Sequence, residues 1–260
     1  MGDPMIEALL RRDRILVVGA MLTVTVLAWA YLIAGAGMGV HEMDGMLMPM
    51  HMGAWTPAYA GLLFAMWAVM MAAMMLPSAA PMILFYGSIA RRRRDKGDPV
   101  TATGVFASGY IAVWAAFSLA AVALQFALEQ AALLSPMMET TSIAVAGSVL
   151  IAAGIYQWTP FKQACLRQCR SPLDFVMTHW REGTRGALAM GIVHGSYCLG
   201  CCWMLMLLLF VGGVMNLLWI AGLAVFVMIE KLAPAGHWIG RAAGILLIAW
   251  GGATLGGLMR

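Results

Sequence analysis

Between Arg14 and Glu42 the chain carries no Asp, Glu, Lys or Arg, and Ile15 to about Gly35 is almost wholly apolar. A helix rises 1.5 Å per residue, so about 20 such residues are what a crossing of a ~30 Å hydrocarbon layer requires. Six more apolar runs follow, at about 57–89, 101–128, 141–158, 186–211, 217–230 and 238–258. In hydrocarbon every backbone N–H and C=O must be satisfied internally, which leaves helices or a closed barrel. Runs this long and continuous read as helices. The expected fold is all-α, a polytopic membrane helix bundle of about seven transmembrane helices. It forms a single integral membrane domain over residues 1–260, with an outer Met/His-rich loop at 36–56 and an inner Cys-containing segment at 159–185. The second run is interrupted by Pro77 and Pro81, which reads as a break in that helix. The segment at 159–185 has room for a short interfacial helix.

The distribution of Lys and Arg sets the orientation. Of the 16 basic residues, only Arg260 falls on the outer side if the N-terminus is inside and seven spans alternate. Cytoplasmic loops are the ones that collect Lys and Arg. The N-terminus is therefore expected inside and the protein in a bacterial inner (plasma) membrane. The first apolar run is too long for the short core of a secretory signal and lacks a convincing cleavage site. A composition of 62% hydrophobic and 11% charged residues agrees. No phosphate loop, dinucleotide fingerprint, nucleophile elbow or nucleic-acid module is evident, and no catalytic residue stands out.

Three groups of residues carry chemistry. The first is the loop Met38–Gly53, which holds six methionines, His41, His51, Glu42 and Asp44. Thioether sulfur is soft and selects Cu(I), and imidazole accepts copper in either oxidation state. Unlike a thiol, a thioether is not lost to disulfide formation. His41, Met46, Met48, Met50, His51 and Met52 therefore read as capture ligands for copper in an oxidising compartment. Apolar filler would explain the methionines but not the two histidines and two carboxylates. The second group is the ladder Met66, Met70 and Met74, with Met71 and Met75 on a neighbouring face. Such stripes more often serve packing. This one begins near the outer loop and runs inward, so Met70, Met71, Met74 and Met75 are relay candidates.

The third group is Gly191-Ile-Val-His-Gly-Ser-Tyr-Cys-Leu-Gly-Cys-Cys-Trp203. At about 100° per residue, His194, Cys198, Cys201 and Cys202 fall within a quarter to a third of the helix circumference. Three soft sulfurs and an imidazole on one face suit a soft metal or thiol redox chemistry. Each cysteine taken singly reads more simply as a small buried hydrophobe. Cys165 and Cys169 stand one helical turn apart among Lys162, Arg167 and Arg170, and read as either an inner exit site or simple thiols. The five cysteines do not resemble a secreted disulfide framework. Glu230 lies deep enough to need a partner, a basic group or His194 among the options, and is a second-shell candidate. Adjacent Lys231 is expected to snorkel to the inner interface.

Several of these stretches also carry a resemblance. They are Trp67-Ala-Val-Met-Met-Ala-Ala-Met-Met-Leu-Pro77 with Pro81, Lys162-Gln-Ala-Cys-Leu-Arg-Gln-Cys-Arg-Ser-Pro172, and Gly191-x-x-x-Gly195-x-x-Cys198-Leu-Gly-Cys-Cys-Trp203. Gly213-Val-Met-Asn216 and Glu230-Lys231 complete the set. From about Trp67 to Lys231 the chain resembles a bacterial family of predicted metal-binding integral membrane proteins, a domain of unknown function. That resemblance implies a multi-span helical fold and a metal site, and the Met/His loop lies outside it.

The functional expectation is a membrane protein that captures and relays a soft ion, copper and specifically Cu(I). Its partners would be the metal ion, the bilayer, and other membrane subunits or a periplasmic metal carrier, with no nucleic acid. A thiol–disulfide oxidoreductase and a structural or assembly subunit of a larger complex are the alternatives.

Overall fold

A computed structural model of the chain describes residues 4–36, 40–43, 46–49, 55–94, 103–135 and 138–257; for residues 4–14, Arg92, Arg94 and the strands at 40–49 it describes the backbone alone. Helices dominate. In chain order they are α1 (Pro4–Ile33), α2 (Pro57–Arg94), α3 (Thr103–Gln130), α4 (Ile143–Tyr156), α5 (Pro160–Arg170), α6 (Pro172–His179), α7 (Gly183–Leu207), α8 (Leu209–Gly212), α9 (Leu217–Leu232) and α10 (Gly236–Leu255).

Five of them are long and apolar enough to cross a membrane: Ile15–Ile33, Pro57–Arg91, Thr103–Gln130, Gly183–Gly212 and Gly236–Leu255. A sixth arises if α4 and α5, bent by 64° at their junction, count as one span. Of the seven expected spans, α4 with 14 residues and α9 with 16 are the short ones. They reach about 21 and 24 Å at 1.5 Å per residue.

Two details depart from the sequence reading. The helix α2 runs through Pro77 and Pro81 without a break. Membrane helices tolerate proline within a packed bundle, and the carbonyls that lose an N–H partner to Pro77 and Pro81 are those of Ala73 and Pro77. Ser78 Oγ and Tyr110 Oη donate to the Met75 carbonyl at 2.9 and 3.1 Å. The outer loop is also not wholly irregular. Strands β1 (Val40–Met43) and β2 (Met46–Pro49) pair antiparallel, with His41 opposite Met48. The period-two spacing of Met46, Met48 and Met50 is a strand signal, and Asp44-Gly45 is a favoured hairpin dipeptide.

The packing fixes the relative directions of the helices. Trp67 Nε1 donates to Gln125 Oε1 at 2.9 Å, whereas Tyr86 stacks on Phe106, so α2 and α3 are antiparallel. Helices α3 and α7 are parallel. A Cβ added to Gly191 would strike the Phe106 carbonyl, and one added to Gly195 would meet Val113. Glycine is what allows two backbones to approach this closely. Helix α4 returns antiparallel to α10, with Gly147 against Gly251 and Gly154 against Gly244. Two parallel helices in one chain require a return path between them, and α4 provides it.

Each end of the bundle is tied by polar contacts. At one, Trp55 Nε1 donates to Glu129 at 2.7 Å and the Thr140 N–H to the Phe210 carbonyl at 2.7 Å. At the other, Arg93 pairs with Glu182 at 3.3 Å, and Arg170 donates to the carbonyls of Ala233 and Pro234 at 2.7 Å each.

Candidate metal centre

Helix α7 brings its cysteines into the middle of the bundle, where Cys198, Cys201 and Cys202 are all buried. Four helices converge on them. From α5, Cys169 Sγ lies 4.0 Å from Cys201 Sγ. From α2, Met75 Sδ lies 4.0 Å from Cys202 Sγ. From α9, Lys231 Nζ donates to Cys198 Sγ at 2.9 Å and to Ser78 Oγ at 3.1 Å. Tyr110 of α3 closes the group, its hydroxyl 3.1 Å from Cys198 Sγ. Cys201 and Cys202 both donate to the Cys198 carbonyl at 3.0 Å. As helical neighbours they diverge by about 100°, and each accordingly addresses a different helix.

The two 4.0 Å sulfur pairs have a metal-compatible width. With metal–thiolate bonds of about 2.3 Å, as at zinc, two sulfurs on one ion stand roughly 3.8 Å apart at a tetrahedral angle and 4.6 Å when opposed. Among the described residues, no group of three or more His, Cys, Asp or Glu is disposed to hold a metal ion. The arrangement is therefore one of sulfur pairs, not a closed four-ligand cage. Structural zinc needs the cage; soft Cu(I) is served by thiolate and thioether alone.

A second buried ionic contact braces the first. Lys162 Nζ lies 2.8 Å from the Glu230 carboxylate, with side-chain exposures of 0% and 1%. Removing ions from water costs several kcal/mol each, so such groups persist only when paired and hydrogen-bonded. Lys162 of α5 and Glu230 of α9 thereby lock together the helices that carry Cys169 and Lys231.

The sequence expectations can be placed on this geometry. Met66, Met70, Met71, Met74 and Met75 are all buried, and Met75 Sδ lies against the Cys202 thiol. His194 is buried, and its ring neighbours include Phe106, Tyr110 and Phe175, with centroids 6.1, 5.8 and 5.2 Å away. Its Nδ1 has no hydrogen-bond partner among the described residues. Cys165 and Cys169 both lie on α5. Both face α7, Cys165 at Gly200 and Cys169 at Cys201. The cations expected around them are engaged elsewhere, Lys162 by Glu230 and Arg170 by two carbonyls. Lys231 does not snorkel: it is 5% exposed and turns inward, because the bundle offers it a sulfur and a hydroxyl. Met50, His51 and Met52 lie outside the described residues, as do the side chains of His41, Met46 and Met48.

Sequence reasoning missed Tyr110, Ser78 and the inward role of Lys231. For Lys231 a signal existed. An ionisable residue within an apolar span marks a functional site by default, and its position beside Glu230 at the helix end had suggested an interfacial role instead. Tyr110 and Ser78 have no such signal, since tyrosines and serines are common in these helices.

A helical bundle with long apolar helices and a buried centre of thiols and thioethers has the donor chemistry of proteins that handle soft metal ions. The family comparison agrees. Residues 64–254 match the model of the PpoB2 family, described as a copper chaperone, and the chain belongs to that family. The matched residues include every member of the thiol centre and begin after the Met/His loop. No curated protein and no solved structure matches the chain.

Proposed function

We propose that this protein receives copper on the outer face of a bacterial inner membrane and holds it as Cu(I) at the thiols of α7 for delivery to a partner. The observation that carries the reading is the pair of 4.0 Å sulfur–sulfur contacts, Cys169–Cys201 and Cys202–Met75, with no carboxylate between them. A small number of sulfur donors, short of the four-ligand cage that structural zinc needs, favours Cu(I) over divalent zinc. Charge supports the same choice. Cu(I) held by two thiolates carries one net negative charge, and Lys231 supplies a positive one at 2.9 Å from Cys198.

Seven crossings with the N-terminus inside belong to this proposal. Parallel α3 and α7, antiparallel α4 and α10, and the gathering of basic residues at the Arg93–Arg170 end support it. On that arrangement the loop at 36–56 faces outward. His41, Met46, Met48, Met50, His51 and Met52 capture the ion; Met70, Met71, Met74 and Met75 pass it inward. Cys198, Cys201, Cys202 and Cys169 receive it, with the open Nδ1 of His194 a further donor and Cys165 one turn beyond. Glu230 acts at one remove, by fixing Lys162.

One observation favours a second reading. Cys169 and Cys201 are near enough to form a disulfide after a shift of about 2 Å, giving two electrons and two protons to a disulfide of a partner. Metal content separates the two. Protein purified with its thiols reduced should hold copper against a modest Cu(I) chelator, with zinc competing poorly. Stoichiometric zinc without copper, or no metal at all beside rapid Cys169–Cys201 oxidation, would overturn the copper reading.

A further inference from the structure

At the end of the bundle opposite the Trp55–Glu129 contact, α5, α6 and α10 line an open cavity of about 710 Å³ that plays no part in the thiol centre. Its lining includes Arg167, Arg170, Arg241 and His237, with Asp174 as the acidic member. That volume falls in the roughly 300–1,000 Å³ range of small-ligand sites.

The charges are unbalanced. The Asp174 carboxylate already accepts from Ser171 Oγ at 2.6 Å. Arg170 is held by the carbonyls of Ala233 and Pro234, which orient the guanidinium without neutralising it. Arg241 stacks over Trp158 and Trp238, 5.5 and 5.0 Å from their ring centroids, and its buried Nε has no hydrogen-bond partner among the described residues. No carboxylate pairs with Arg167, Arg170 or Arg241 among the described residues. Three guanidiniums in one concavity therefore await an anion with several acceptor oxygens, for which arginine's planar fork is suited.

The surroundings indicate which anion. Trp158 lines the cavity and Trp238 lies against Arg241 at its edge, and the two are 47% and 61% exposed. Tryptophan at the level of the headgroups marks a membrane interface, and exposed aromatic faces next to a basic pocket suit acyl chains below a phosphate. Basic pockets between helices on the cytoplasmic side are known lipid-headgroup sites.

We infer that this cavity is a binding site for a phosphate-ester anion, supplied by the headgroup of an anionic phospholipid. Arg167 and Arg241 make the charge-assisted contacts, Arg170 holds the cavity's shape by fastening α5 to the α9–α10 turn, and the exposed aromatics seat the chains. The inference does not depend on copper.

The test uses the full chain in mild detergent, incubated with equimolar phosphatidylglycerol and phosphatidylcholine, with bound lipid counted by native mass spectrometry. One phosphatidylglycerol per chain should be retained in clear preference to phosphatidylcholine. Arg167→Gln and Arg241→Gln should each lower retention by about fivefold, while Arg185→Gln, outside the cavity, should not. Inorganic phosphate in a parallel arm tests the source. Displacement of the lipid only at high phosphate concentration assigns the site to lipid, whereas tight phosphate binding without lipid selectivity assigns the same chemistry to a free anion and overturns the lipid. Equal retention of the two lipids by the wild-type protein, with no phosphate binding, overturns the site altogether, even if the variants fail to fold.

Discussion

Lys231 Nζ and Cys198 Sγ meet at 2.9 Å in the middle of the bundle, where the lysine is 5% exposed and the cysteine 1%. A cation placed on a sulfur in low dielectric stabilises negative charge there, whether on a lone thiolate or on a thiolate–copper(I) complex. Neutralising the lysine should thus weaken copper binding without removing a ligand. Lys231→Met keeps the volume and removes the charge, and should raise the Kd for Cu(I) at least tenfold in a competition titration against a chromogenic chelator. Lys231→Arg should recover part of the loss. Equal affinities in all three proteins would detach Lys231 from the metal.

The sulfur pairs predict a division between adjacent cysteines. Cys201 addresses Cys169 and Cys202 addresses Met75. Serine nearly preserves volume while replacing a soft ligand by a hard one. Cys201→Ser and Cys169→Ser should therefore share one copper-binding defect, and Cys202→Ser and Met75→Leu another. Cys198→Ser, which removes the sulfur that Lys231 and Tyr110 contact between the two pairs, should lose most of the bound copper. Metal analysis of the five purified variants checks this, and five normal copper contents would remove the ion from α7.

The Lys162–Glu230 pair predicts a stability effect separate from copper. With both side chains buried, Glu230→Ala strands the lysine charge and should cost about 3–5 kcal/mol. Apo-protein melting in detergent should fall sharply. The double variant Lys162→Met/Glu230→Leu, which removes both charges, should recover much of it. A neutral single variant would mean that water reaches the pair.

Orientation has its own test. In a cysteine-free background, a reporter cysteine at Gly45 should react with an impermeant thiol reagent in intact cells, and one at Lys96 only after permeabilisation. Reaction at Lys96 from outside would reverse the topology and move the capture loop to the wrong compartment.

What the sequence reveals here follows from which forces are local. Apolar length specifies helices because hydrocarbon forbids unsatisfied backbone, so α1, α2, α3, α7 and α10 are legible directly. The spacing of His194, Cys198, Cys201 and Cys202 likewise fixes their common face, since helical period is a local property. Contacts between distant segments are not legible. Nothing in Cys165-x-x-x-Cys169 says that α5 folds back onto α7, or that Cys169 meets Cys201 while Cys165 meets Gly200. The inward turn of Lys231 depends on Ser78 and Cys198 arriving from two other helices. His194 shows the converse: its face was readable, but its aromatic surroundings come from α3 and α6. The hairpin at 40–49 carried its signal in the alternating methionines, which the search for metal ligands passed over.

The most direct measurement is X-ray absorption at the copper edge on reduced, copper-loaded protein. The account predicts Cu(I) with a first shell of low coordination number in which sulfur outnumbers any histidine nitrogen, reduced in sulfur content by Cys201→Ser and unchanged in oxidation state by Lys231→Met. A first shell of nitrogen and oxygen, or a Cu(II) edge in the reduced protein, would contradict the thiol centre as the place where copper is held.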